Sequence, residues 1–178
     1  MNAVSTTVPL RVDLQIAAGE PAVPDEADWE AWVHAALAAG ESAASGVVTV
    51  RLVTEDESAT LNLSYRDKPG ATNVLAFPGD DSLILPLDVA GEAAVEAELG
   101  DLVICLPVAY READEQGKRP VAHLAHLVVH GTLHLIGYDH TLKDDAERME
   151  NLEVRILSGL GFADPYGDPE NMSDSRHE

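Results

Sequence analysis

The stretch HGTLHLIGYDH, residues 130–140, sets three imidazoles where one divalent ion can collect them. His130 and His134 are four apart, and helical side chains at i and i+4 lie one above the other on a single face. Their ring nitrogens can share an ion at about 2.0–2.1 Å, the zinc-to-imidazole distance. Gly137 follows where a left-handed residue ends a helix, and the turn it makes can bring in His140 as a third ligand. Three protein ligands leave the fourth tetrahedral position for water or substrate, the arrangement of a catalytic zinc site. The chemistry is metal-dependent hydrolysis, with Zn2+ as the expected cofactor.

A lone histidine in an apolar helix is more often a satisfied core residue, and an HxxxH pair arises by chance; the third histidine behind a glycine turn shifts the weight to a metal site. The same spacing occurs in zinc peptidases, where a glutamate general base follows the first histidine. Here that residue is Gly131, which argues against ordinary peptide hydrolysis. His126 and His123 extend the histidine stripe by further helical turns and are read as partly buried polar residues with local partners. Asp139 is read as a carboxylate that accepts a histidine N–H, slightly ahead of a role as general base.

The elements that must position these residues follow from periodicity. VPLRVDLQIA, 8–17, alternates loosely and is expected to be a strand, and VVTVRLV, 47–53, is β-branched and a second one. Between them an acidic start at Asp25, an apolar face of Trp29, Trp32, Val33, Ala36 and Leu37, and a stop at Gly40 predict a helix. Thr54 and Glu57 form a capping-box pattern opening a helix through Tyr65. Residues 73–77 and 100–106 are expected to be strands, with a loop between them. Helices are expected over 107–117, 121–136 and 144–157, the second carrying the first two histidines and the last turning Met149, Leu152, Ile156 and Leu157 inward. Strands early and helices late give an α+β fold: one small mixed four-stranded sheet covered mainly by helices, with 73–77 as the antiparallel strand.

At 178 residues the chain is long enough for one domain with a real core, expected over 1–163 with an acidic tail over 164–178. No run approaches the ~18 apolar residues of a membrane span, and the N-terminus lacks the pattern of a signal peptide. Cys105, the one cysteine, is expected as a small buried hydrophobe, in keeping with the reducing cytoplasm. Eleven basic against 32 acidic residues give a net charge of −21, which counts against a bulk electrostatic nucleic-acid binder and leaves room for a focused site. Residues 79–101 carry seven acids and neither Lys nor Arg, and read as a solvated acidic face.

HGTLHLIGYDH, LNLSYRDKPGATNVLAFP (61–78) and LGDLVIC (99–105) together resemble the YbeY family of bacterial metallo-endoribonucleases, and the likeness runs from the opening strand to GFADPY near the C-terminus. The resemblance implies a compact α+β domain and a zinc-dependent, single-strand-specific endoribonuclease. Its expected work is ribosomal RNA maturation, at the 3′ end of small-subunit (16S) RNA, and ribosome quality control in the cytoplasm. Single-stranded ribosomal RNA, the small subunit and its assembly proteins are the implied partners. His130, His134 and His140 match the family's zinc ligands, His130 and Arg66 are the expected catalytic residues, and Arg66 matches the arginine of the family's YR segment. A planar, permanent guanidinium suits bidentate contact with phosphate; the competing role is a surface ion pair with Asp67 or another acid. Thr72 and Asn73 could bind phosphate or ribose or serve the turn into the strand, and Tyr138 could stack on a base. The chain departs from the family pattern at Ala76 and in the added length at Gly70 and Ala71, beside the Arg66 loop. Two other functions remain open: a metal-dependent hydrolase of another substrate, and a non-catalytic ribosome-assembly factor with structural zinc.

Overall fold

The structure, a computed structural model, describes residues 10–17, 23–40, 46–79, 98–139 and 141–167. The expected loop between the last two strands falls mostly outside them, as do His140 and residues 168–178.

Among the described residues the elements in order are β1 (Arg11–Ile16), α1 (Glu26–Ala39), β2 (Val47–Val53), α2 (Glu55–Arg66), β3 (Val74–Pro78), β4 (Glu98–Cys105), α3 (Leu106–Glu115), α4 (Pro120–Leu135) and α5 (Lys143–Gly159). The sheet order is β1-β2-β4-β3. β1 and β4 both pair parallel to β2, while β3 runs antiparallel along β4, so the mixed α+β sheet expected from the pattern of elements is present. Gly100 has a φ of 145°, and a Cβ there would meet the Phe77 carbonyl oxygen at 2.5 Å. Only glycine lets β3 and the adjoining chain come this close to β4.

Alternation assigns the two faces of the sheet. Val48, Val50 and Leu52 of β2 and Leu102 and Ile104 of β4 point into the main core with α1, α4 and α5. Val53, Val103 and Cys105 point the other way, against Leu61 of α2. Cys105 is the buried hydrophobe expected of it, and burial raises its thiol pKa. In α1, Trp29 and Trp32 are buried edge to face, and the Trp29 indole N–H donates to the Pro24 carbonyl at 3.0 Å, which satisfies its one polar atom. The Thr54 cap forms, its hydroxyl accepting from the Glu57 amide at 3.3 Å. The Glu57 carboxylate does not close the box; it accepts from Arg51 Nε at 2.7 Å.

Candidate metal centre

α4 packs against α1, α3, α5, β3 and β4. A helix held on so many sides has little freedom to rotate, and this fixes where its histidines point. Gly131 faces the sheet: a Cβ there would lie 2.8 Å from Leu102 Cδ2. The position that carries the general base in zinc peptidases is therefore turned into the core. The helix ends in a Schellman turn, with Gly137 at φ 100°. Its amide donates to the His134 carbonyl at 3.1 Å and the Tyr138 amide to the Leu133 carbonyl at 3.0 Å. The predicted turn after the second histidine is present.

His130 Nε2 and His134 Nε2 face each other at 3.1 Å on the wall of a cleft of about 960 Å³. Two nitrogens bound to one tetrahedral ion at about 2.0–2.1 Å stand about 3.3–3.4 Å apart, so the pair needs almost no movement to share one. On its other side, His130 Nδ1 is hydrogen-bonded to Glu153 Oε1 in α5. Glu153 has 0% exposure and is the only fully buried carboxylate among the described residues. Its other oxygen accepts from the Tyr166 hydroxyl and, at 3.3 Å, from His126 Nε2. Burial by itself would raise the Glu153 pKa; the hydrogen bonds from His126, His130 and Tyr166 outweigh it and bring the value down to about 2. The same network, after burial, raises the Tyr166 pKa. An ionised carboxylate only accepts, so His130 donates to it from Nδ1 and turns Nε2 toward His134.

His126, His130 and Glu153 also bring one donor atom each within 4.8 Å of one another and could hold a metal ion. The two donor sets share His130, whose Nδ1 meets Glu153 and whose Nε2 meets His134. His126 lines the cleft too, but an ion in its set would have to displace the hydrogen bonds that Glu153 already makes, whereas the Nε2 pair of His130 and His134 holds no such carboxylate. The Nε2 pair is the better fit to a site that must admit substrate.

Arg66 closes α2 and lines the same cleft as the histidines, with Nη2 donating to the Ala76 carbonyl at 3.3 Å. Among the described residues it makes no ion pair with Asp67, which takes the left-handed cap of α2 at φ 55°. The loop behind it is held by α2 itself. Ser58 donates to the Thr72 carbonyl at 2.9 Å and accepts from the Thr72 amide at 3.0 Å, and Asn62 donates to the Gly70 carbonyl at 2.9 Å. The added residues Gly70 and Ala71 are thus built into a fixed loop. Thr72 and Asn73 line the cleft too; the Asn73 amide donates to Glu112 at 3.1 Å, and Glu112 accepts from His123 at 2.8 Å.

Tyr138 and Asp139 line the cleft as well. Asp139 accepts from the Thr141 hydroxyl at 2.6 Å, and the carboxylate on His130 is Glu153. Of the expected site residues the fold brings His130, His134 and Arg66 to one cleft. Sequence reasoning missed Glu153, Tyr166 and Glu112. One signal was available for the first: Glu153 falls on the stripe of Met149, Ile156 and Leu157, where a carboxylate has no place without a partner. Pro165 and Tyr166, expected in a loose tail, are anchored, since Lys118 Nζ donates to the Pro165 carbonyl at 2.6 Å and Tyr166 reaches Glu153.

Fold and site define a small α+β protein with a candidate metal centre at the end of its central helix. The family model described as Endoribonuclease YbeY matches residues 16–161, and the chain belongs to that family. It is 48% identical over 179 residues to a protein named Endoribonuclease YbeY from Alcanivorax borkumensis, covering 100% of this chain and 97% of that one. It is 51% identical over 167 residues to a protein of the same name from Pseudomonas putida, covering 92% and 98%. A solution structure of a protein from Thermotoga maritima superposes with a TM-score of 0.51 over 94% of this chain and 100% of that one; at 22% identity it shares the fold. No helix among the described residues is long and apolar enough to cross a membrane.

Proposed function

We propose that this protein is a zinc-dependent endoribonuclease that cuts single-stranded RNA in the maturation of ribosomal RNA, including the 3′ end of small-subunit RNA, and in ribosome quality control. The observation that carries the reading is the meeting of His130 Nε2 and His134 Nε2 at 3.1 Å on the wall of the cleft that Arg66 lines. Family membership supplies the substrate class, and imidazoles suit zinc. His130, His134 and His140 are the ligands in this reading, with His140 following the Gly137 turn. A divalent ion held there supplies Lewis acidity toward a phosphoryl oxygen.

The remaining work falls to the chain. The walls of the cleft hold a single strand with one phosphodiester at the histidines. Arg66, at the end of α2 beside a loop braced by Ser58 and Asn62, presents N–H donors to that phosphate as charge grows on it. A single strand can bend to bring one phosphodiester to the histidines, whereas a duplex holds its backbones apart with its bases stacked, in keeping with a preference for single strands. Tyr138 offers one stacking surface. In this reading the protein works in the cytoplasm, with the small subunit and its assembly proteins delivering RNA to an acidic enzyme.

The test is zinc content by elemental analysis together with cleavage of a labelled single-stranded ribosomal RNA fragment, comparing wild type, Arg66→Ala and His130→Ala. The expected result is near-stoichiometric zinc in the wild type and Arg66→Ala, loss of zinc in His130→Ala, and loss of cleavage in both variants. A fall of about 10²–10³ in kcat for Arg66→Ala is the scale for losing one charged donor to a transition state. Cleavage that survives both substitutions would refute the assignment.

A further inference from the structure

We infer that Glu153 and Tyr166 form a positioning device that aims His130 into the metal centre, so that the C-terminal turn at residues 164–167 is a working part of the site. The inference rests on the metal-centre reading above. A buried carboxylate is costly, and this one is kept with three donors from two parts of the chain: His126 and His130 of α4 and Tyr166 beyond α5. A ligand histidine whose second nitrogen donates to a carboxylate is fixed in tautomer and ring orientation, and its free nitrogen becomes a better donor to metal. Glu153 does this for His130 without touching the cleft-facing nitrogen.

Tyr166 holds the carboxylate in turn, and its own place is built. Asp164 Oδ1 accepts from the Tyr166 amide at 2.8 Å, and the Asp164 carbonyl accepts from the Gly167 amide at 3.2 Å. Lys118 Nζ donates to the Pro165 carbonyl at 2.6 Å, tying the turn to the segment between α3 and α4. The ring of Tyr166 meets that of His126 edge to face, with centroids 5.3 Å apart. Four contacts therefore direct one hydroxyl onto one carboxylate.

Zinc affinity by competition with a chromophoric chelator, measured on the full chain, tests this. Glu153→Gln should bind zinc about 10–100-fold more weakly than wild type while the zinc-free protein still unfolds cooperatively. Tyr166→Phe, which removes only the hydroxyl, should weaken binding less and in the same direction, and it carries the test if Glu153→Gln does not fold. Cobalt-loaded Glu153→Gln should show a shifted visible spectrum, which a purely structural role would leave in place. His134→Ala should lose zinc and His126→Ala should keep it. The reverse pattern would make Glu153 a ligand and overturn the positioning role. Unchanged zinc affinity in both Glu153→Gln and Tyr166→Phe, in a wild type that binds zinc, overturns it too and leaves the metal centre standing. A wild type that binds no zinc sinks both readings.

Discussion

At the scale of the residue, chemistry here depends on which nitrogen faces which neighbour. His130 and His123 lie on one helix and differ in environment. His130 faces the cleft with one nitrogen and Glu153 with the other, whereas His123 is buried with its Nε2 on Glu112. Burial lowers the His123 pKa, and the raising effect of Glu112 does not fully offset it. The folded protein thus holds His123 neutral to lower pH than the unfolded chain, whose histidine takes its proton near pH 6.5. Below that value the unfolded state binds the extra proton, so stability is lost as pH falls from the unfolded pKa toward the folded one. Urea midpoints of zinc-free protein at about pH 7.5 and about pH 5.5 check this, and His123→Gln should lose less stability between them than wild type. An equal loss in both would show that His123 does not contribute to the pH dependence. The histidine spacing was legible in the sequence because i and i+4 share a helical face. Glu153 left only the mark of a carboxylate on an apolar stripe, and its partner was not legible because His130 lies 23 residues away on another helix.

At the scale of the element, α4 carries the site because its opposite face is committed. Val128, Thr132 and Leu133 are fully buried, and Gly131 allows close approach to β4. Substituting Gly131→Glu, which would restore the peptidase motif on paper, should not create a peptidase. The carboxylate would enter the core against Leu102 and Val74, with a cost of about 3–5 kcal/mol for a buried charge without a partner. Denaturant unfolding measures it, and near wild-type stability would mean that α4 can draw back from the sheet. Helix bounds were readable from caps and stops, since Thr54, Pro120, Gly40 and Gly137 act locally. The capping box formed only in half because Arg51, on the neighbouring strand, competes for Glu57.

At the scale of the whole molecule, a chain of net charge −21 must meet a polyanion. Long-range repulsion slows free RNA, and added salt screens it. Cleavage of a free fragment should therefore have a flat or rising dependence of kcat/KM on salt, against the steep fall seen when a basic protein releases counterions. A steep fall would show that a local positive field at the cleft dominates the encounter. The acidic balance, the histidine spacing, the α+β class and the glycine turn were all properties of the sequence itself, because composition and short-range periodicity act within a few residues. The insertion of β4 between β2 and β3, the meeting of Arg66 with His130 in one cleft, and the burial of Glu153 beneath Tyr166 were decided by the tertiary structure. Each depends on which distant surfaces pack together, and that choice is made by the summed burial of a whole core against chain entropy, which no local spacing records.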